Sequence, residues 1–128
     1  MGVAKSPRSI IFLVGGKRMP PSESALVRRV IAELNTWPCT RAVKIHGSLY
    51  GRVGDPDIWG CTHGKMFVLE AKRPGCLPRV SQMLELKRWR RGGAVAEWFT
   101  HFEQAIEIVR KLLPDSIETE TNLLDIGD

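Results

Sequence analysis

The chain has 128 residues, enough for one domain with a single hydrophobic core, and its hydrophobic (43%) and charged (26%) fractions are those of an ordinary globular protein. The formal net charge is +5 but is unevenly distributed: residues 114–128 contain five acids and no Lys or Arg, whereas residues 1–113 contain 19 basic and 9 acidic residues. A folded part with this excess of positive charge indicates a polyanionic partner, and nucleic acid is the first candidate. No apolar stretch is long enough to span a membrane, so we expect no membrane association.

The cysteine content indicates a reduced, intracellular protein. Three cysteines, Cys39, Cys61 and Cys76, cannot all pair, and the sequence has no C-x-x-C motif. A zinc site built from Cys61, His63 and Cys76 is the weaker alternative, because Cys61 falls in a predicted strand and His63 in a predicted turn.

Three segments are predicted along the chain. Residues 1–20 form a basic leader, in which Ile10–Val14 is a candidate edge strand. Residues 21–113 form the folded domain, and residues 114–128 form an acidic tail that we expect to be mobile.

The folded domain is predicted to begin with a helix and a strand. Ser22 is a candidate N-cap for a helix that extends to about Thr36. Glu23 falls on the apolar stripe of this helix, where it either complements the helix dipole or contributes to a site. Thr40–His46 is predicted as the first core strand, and a glycine-rich loop that carries Arg52 follows it.

A β-hairpin is predicted next, because the apolar runs Ile58–Cys61 and Met66–Leu69 flank a turn at His63-Gly64. After the hairpin, a helix with Pro78 in its first turn is predicted to extend to about Arg91.

The last predicted elements are a strand, Ala94–Phe99, and a helix that begins at a capping box, Thr100–Glu103, and stops at Pro114. The order helix, three strands, helix, strand, helix predicts an α/β fold with a central mixed β-sheet flanked by helices.

Two charged clusters lie at the ends of the hairpin strands: Gly54-Asp55-Pro56-Asp57 precedes the first, and Glu70-Ala71-Lys72 ends the second. Residues two apart on a strand share a face, so Glu70 and Lys72 point the same way, and the turn brings Asp57 level with Glu70. Such clusters are usually only solvated. However, the second strand is apolar throughout, and three buried charges are costly unless they pair or bind metal. Oxygen ligands of this kind suit a hard divalent ion.

This pattern, a Pro-Asp pair followed after a dozen residues by Glu-x-Lys, resembles the PD-(D/E)xK nuclease superfamily. With Glu23 on a preceding helix and a later Gln82, residues 21–112 are similar to the VRR-NUC family, particularly its small stand-alone phage and bacterial members. The resemblance implies a restriction-endonuclease-like core (α-β-β-β-α-β-α) in a cytoplasmic protein of a bacterial or phage-infected cell.

The resemblance also implies the site residues. Asp57, Glu70 and the backbone carbonyl of Ala71 would ligate Mg²⁺ or Mn²⁺, and Lys72 would orient or deprotonate the attacking water. Glu23 and Gln82 would complete the catalytic set.

The implied activity is that of a metal-dependent, structure-selective endodeoxyribonuclease. Its expected substrate is branched DNA such as a four-way (Holliday) junction, because stand-alone members of the family resemble junction resolvases. Symmetric resolution needs two cuts, so we expect a homodimer, with Ile10–Val14, Trp37 and Trp98 as candidate interface residues.

Seven basic residues are predicted to contact DNA phosphates. A basic amphipathic helix is usually a solvated face, but the helix after Pro78 directly follows the charged clusters, which favours phosphate contact. The predicted contacts are Arg52, Arg73, Arg79, Lys87, Arg88, Arg90 and Arg91.

Two alternatives stay open at this point. One is a DNA-binding module whose metal site is idle, which the presence of all of Asp57, Glu70 and Lys72 disfavours. The other is a restriction-type duplex nuclease, which is disfavoured because so short a chain shows no inserted recognition segment.

Overall fold

The structure is a computed structural model that describes residues 21–45 and 54–115 in full and the backbone of residues 12–14 and 17–19. The predicted DNA contact Arg52 and the acidic tail beyond residue 115 lie outside the described residues. In chain order, the elements are β1 (Phe12–Val14), β2 (Lys17–Met19), α1 (Glu23–Leu34), β3 (Thr40–Lys44), β4 (Ile58–Thr62), β5 (Lys65–Ala71), α2 (Val80–Arg91), β6 (Val95–Phe99) and α3 (Phe102–Arg110).

The predicted α/β architecture with a mixed central sheet is confirmed. In the described part of the chain, four strands form one sheet in the order β3-β4-β5-β6. Neighbouring strands are antiparallel from β3 to β5, whereas β5 and β6 are parallel. A parallel pair needs a crossover connection, and α2 supplies it.

The two faces of this sheet are covered by different helices. On one face, α1 and α3 pack against Phe67, Leu69 and Ala71 of β5. On the other face, Leu86 of α2 packs against Val68 of β5. The central strand β5 is therefore buried on both faces, as its uninterrupted apolar sequence predicts.

Side chains also cover backbone groups of the two outer strands. The amide of Asn35, just after α1, donates to the carbonyl of Ala42 in β3 (3.0 Å) and accepts from its N–H (2.8 Å). On β6, Arg90 Nε donates to the carbonyl of Ala96 at 2.8 Å. Because these backbone groups of Ala42 and Ala96 already have hydrogen-bond partners, they are not available to pair with a strand of another chain.

Of the expected edge strand Ile10–Val14, only Phe12–Val14 lies within the described residues. Phe12–Val14 is a strand, but it pairs with Lys17–Met19 in a separate two-stranded sheet. In this pairing, Val14 is opposite Lys17 and Phe12 is opposite Met19.

Two helix starts lie later than predicted. Pro78 is outside α2, which begins at Val80 after the N-cap Arg79. The N-cap of α3 is His101 rather than Thr100, and the side chain of Gln104, at the third helical position, reaches back to accept the N–H of His101 at 3.2 Å.

Two tryptophans proposed above as interface residues pack on the chain's own cores. Trp37 lies against the cluster under α1 and α3, and its indole N–H donates to Glu33 Oε2 at 3.0 Å. Trp98 packs against the cluster under α2. Both side chains are partly buried within this chain, so each offers only part of its surface to a second copy.

Among the helices that the structure describes, none combines the length and the apolar character needed to cross a membrane.

Candidate active site

A tight hairpin brings the two charged clusters together. Thr62 pairs with Lys65, so His63 and Gly64 form a two-residue loop, and both have positive φ values (49° and 82°). Loops of that kind match the twist of the strands they join. The same register pairs Ile58 with Leu69, which places Asp57 opposite Glu70 at the far end of the hairpin, as the sequence predicts.

Asp57 is fixed by two backbone contacts. Its Oδ2 accepts the N–H of Ala71 at 2.9 Å, and its own carbonyl accepts the N–H of Ile45 at 2.8 Å. The N–H and C=O of a strand residue point to the same edge of the strand. The carbonyl of Ala71 therefore faces the side on which Asp57 lies, where the predicted metal ligands are expected.

Glu70 and Lys72 lie on one face of the end of β5 and are 2% and 8% exposed. Lys72 Nζ is 3.5 Å from Glu70 Oε2. The backbone of Lys72 is held by β6, since its N–H donates to the carbonyl of Phe99 at 2.9 Å. The position of the Lys72 ammonium beside the Glu70 carboxylate is therefore set by β5, which carries both residues, and by the hydrogen bond to β6.

The N-terminal ends of two helices complete the cluster. Gln82 of α2 donates from Nε2 to Glu70 Oε2 at 2.7 Å, and its Oε1 accepts the N–H of Arg79 at 2.8 Å. Glu23, the first residue of α1, accepts the N–H of Arg73 at 3.2 Å. The fold thus brings all six predicted site residues to one end of β5; their catalytic and ligand roles stay predictions.

Burial sets the electrostatics of the two carboxyl groups. Burial, reinforced by the nearby charge of Asp57, raises the pKa of Glu70 to about 7, although Lys72 opposes the shift. Burial also raises the pKa of Asp57 above its usual value of 3.8, and the hydrogen bond from Ala71 and the charge of Lys44 oppose this. The positive charges around Asp57 and Glu70 therefore do not fully compensate the burial of the two carboxyl groups.

The oxygens of Glu70 show what the site lacks. Oε2 has two partners, Gln82 and Lys72, whereas Oε1 is buried and has no hydrogen-bond partner among the described residues. An unpartnered, buried carboxylate oxygen next to a second carboxylate fits an oxygen-preferring divalent cation.

The donor set is small. Nowhere in residues 21–45 and 54–115 do three or more His, Cys, Asp or Glu side chains form a group placed to hold a metal ion. The zinc alternative at Cys61, His63 and Cys76 therefore finds no support. The Mg²⁺ ligands would be the carboxylates of Asp57 and Glu70 and one carbonyl, and water fills the remaining positions of such ions.

Two further residues at the site were not predicted. Lys44 pairs with Ile58 across β3 and β4, and its charge acts on neighbouring Asp57. Gly54 has a φ of 88°, and a Cβ there would lie 2.6 Å from the carbonyl oxygen of Ser81. Lys44 could have been found from the sequence, because the predicted strand that carries it pairs with the strand next to Asp57. Nothing in the sequence shows that Gly54 lies against Ser81 of α2.

The predicted DNA-contacting residues divide into three groups. Arg73 and Arg79 are exposed beside the site, in the connection before α2. Lys87, Arg88 and Arg91 are exposed further along α2, which rises about 1.5 Å per residue from Gln82. Arg90 contacts the protein itself, because besides its bond to Ala96 it lies 3.6 Å from Glu97.

No model of a known protein family matches the sequence, and no curated protein matches it either. The structure is similar to a solved structure described as a VRR_NUC domain, with a TM-score of 0.60 and 22% identity, covering 71% of this chain and 97% of that one. This chain has a VRR-NUC-like nuclease fold. The predicted restriction-endonuclease-like core is thereby confirmed.

A second solved structure is that of Archaeoglobus fulgidus Hjc, a Holliday junction resolvase from an archaeal hyperthermophile. Its TM-score is 0.49 and its identity 21%, over 61% of this chain and 67% of that one. At 22% identity, the likeness to the VRR_NUC domain is one of fold.

Proposed function

We propose that this chain is a Mg²⁺- or Mn²⁺-dependent endonuclease that hydrolyses phosphodiester bonds in DNA. The observation that supports this most is the convergence of the half-buried Asp57 with the buried Glu70 and Lys72 at the end of β5, where Glu70 Oε1 has no partner among the described residues. A strand end buried among apolar neighbours is an unfavourable place for three charged groups unless they pair or bind a ligand, and the single ammonium of Lys72 cannot neutralise two carboxylates.

Each residue of the site has a separate task in this proposal. Asp57, Glu70 and the carbonyl of Ala71 would hold the ion, and Gln82 keeps Glu70 in position. When bound, the ion polarises the scissile phosphate and lowers the pKa of water.

Lys72 acts on the nucleophile and on the developing charge. Its ammonium, 3.5 Å from Glu70, holds the attacking water in line with the phosphate and offsets the negative charge that develops there. Glu23 braces the start of α1 against the chain that leaves β5, through its contact with Arg73.

The proposed substrate is branched DNA such as a four-way junction, and the proposed working form is a homodimer in the cytoplasm of a bacterial or phage-infected cell. Support comes from the excess of basic residues in the folded part and from the motif pattern of Asp57, Glu70 and Lys72, which resembles that of stand-alone VRR-NUC proteins. One chain carries one cluster and cuts one strand, so symmetric resolution needs two chains related by a two-fold axis.

Light scattering together with a cruciform plasmid assay tests this: a dimer converts supercoiled plasmid directly to linear product, whereas a monomer gives nicked circles first.

The test of the activity is a Mg²⁺-dependent cleavage panel of duplex, flap, single-stranded and four-way junction DNA. Asp57→Asn, Glu70→Gln and Lys72→Ala should each abolish cleavage, and EDTA should do the same to the wild type. Binding should persist, because the exposed cations are unchanged. Glu107→Gln, on the exposed face of α3, is the matched control and should cleave normally.

Two results would contradict the proposal. Near-normal cleavage by any of the three site variants would remove the role assigned to that residue. Wild-type protein that binds DNA but leaves every substrate in the panel intact, with Mg²⁺ and with Mn²⁺, would instead identify a DNA-binding module with an idle site.

A further inference from the structure

The outward face of the first half of α2 is apolar, as is Leu77 in the connection that precedes this helix. The four large side chains, Leu77, Val80, Met83 and Leu84, are 76%, 75%, 44% and 51% exposed. We call them the α2 apolar patch. Val80 and Gln82 lie in the same turn of α2, but residues two apart on a helix point about 200° apart, so the patch faces away from the Gln82 side chain that contacts Glu70. Four large exposed apolar side chains within residues 77–84 indicate a ligand surface rather than scattered surface residues.

Positive charge lies on both sides of this patch. Spacings of three and four residues put Val80, Leu84, Lys87 and Arg91 on one stripe of α2, turned away from the buried Leu86. Lys87 and Arg91 are exposed at the far end of the stripe. At the near end, Arg73 and Arg79 are exposed in the connection before the helix. The surface is therefore cationic, then apolar, then cationic again.

We propose that the α2 apolar patch packs against unstacked bases of the DNA while the cations on either side hold its phosphates, so that the protein selects branched over continuous duplex DNA. The inference rests on the proposed nuclease function and assigns the residues that choose its substrate. Apolar side chains such as Leu and Met pack between base steps when a protein unstacks DNA. A branch point offers such bases, whereas a continuous duplex presents mainly phosphates and groove edges.

The charges argue against a second copy of the chain as the occupant. A two-fold contact through this face would place Arg79, Lys87 and Arg91 against the same cations of the partner. The four apolar side chains are also few beside the roughly 20–30 residues per side of a standard interface. A polyanion with exposed bases complements both the apolar and the cationic parts of the surface.

The test compares affinities rather than cleavage. The variant Leu77→Gln/Val80→Gln/Leu84→Gln keeps good helix formers on α2 and makes the patch polar. Its affinities for a four-way junction and for a continuous duplex of the same sequence are measured in Ca²⁺, with 2-aminopurine at the branch point. We expect the junction affinity to fall about ten-fold more than the duplex affinity, within the range of one lost base contact.

Salt dependence separates this effect from lost phosphate contacts. The slope of log affinity against log salt should match the wild type, because the variant removes no cation. The 2-aminopurine signal of the bound junction should fall towards that of stacked DNA. Leu77→Gln alone, which lies outside α2, should shift the affinity ratio in the same direction and covers the case in which the triple variant does not fold.

The matched control is Val43→Thr/Met66→Thr, which makes two other exposed apolar residues (38% and 36%) on β3 and β5 more polar. This control should keep the wild-type ratio of affinities.

An unchanged ratio in the patch variants, or equal losses for junction and duplex, would overturn the inference. A change from dimer to monomer in light scattering would overturn it too, by assigning the patch to a second copy. Absence of cleavage in the wild type would contradict only the nuclease proposal, since the affinity ratio is measured without cleavage.

Discussion

The buried carboxyl of Glu70 makes the stability of the metal-free protein depend on pH in a predictable direction. Its pKa is raised from 4.5 in the unfolded chain to about 7 in the folded protein. Between these values the folded state holds a proton that the unfolded state has released. The resulting stabilisation is complete below pH 4.5 and is lost as the pH rises through 7.

The size of this effect follows from the shift. At about 1.4 kcal/mol per pKa unit, Glu70 alone should lower the free energy of unfolding by about 3 kcal/mol between pH 4.5 and pH 8. The pKa of Asp57 is raised as well, so its contribution has the same sign. Since small domains have only about 5–15 kcal/mol of stability, the loss is a large fraction of the total.

The measurement is urea unfolding in EDTA from pH 4.5 to pH 8, followed by tryptophan fluorescence. Glu70→Gln cannot titrate and should remove most of the pH dependence, whereas Glu107→Gln, with an exposed carboxylate, should keep the wild-type profile. Saturating Mg²⁺ should restore stability at pH 8, because a bound cation favours the deprotonated carboxylates. A wild-type stability that is flat or rises between pH 5 and pH 8 would refute the burial argument. So would a Glu70→Gln variant that retains the full slope.

Two further predictions concern the surroundings of the site. Gly54→Ala places a Cβ 2.6 Å from the carbonyl of Ser81 in a backbone conformation (φ 88°) that favours glycine. This substitution should displace the first turn of α2 and cost about 1–3 kcal/mol of stability. Cleavage should also fall, because Gln82 lies in that turn. Full activity would show that the contact between Gly54 and Ser81 does not set the position of Gln82. Lys87→Ala/Arg91→Ala should reduce the slope of log affinity against log salt by about 2, if each cation neutralises one phosphate. An unchanged slope, measured by fluorescence anisotropy, would place the DNA on another surface.

The sequence is sufficient to predict the parts of the site that lie along one hairpin. Periodicity of two puts Glu70 and Lys72 on one face, and a two-residue turn puts Asp57 opposite them, so both relations depend only on local geometry. The position of Gln82 depends on how α2 packs on the sheet, and only the family pattern indicated it. The hydrogen bond from Arg90 to β6 is a tertiary contact that charge and helical spacing cannot distinguish from a phosphate-binding position.

Without a cation, the charged forms of Glu70 and Asp57 lower the stability of the folded protein, because burial disfavours both charges. Glu70 lies at the end of β5, which is covered by α1 and α3 on one face and by α2 on the other, so a large apolar core offsets the cost of two buried carboxyls. The same burial strengthens their interaction with a cation, since a low-dielectric site weakens screening by water. A solvated version of this cluster would titrate normally and fold more stably, but it would bind a divalent ion weakly. The raised pKa of Glu70 and the proposed affinity for a divalent cation therefore have the same cause, which is burial of the carboxyl groups. A substitution that exposes Glu70 to water should lower its pKa towards the usual value and should also weaken cation binding.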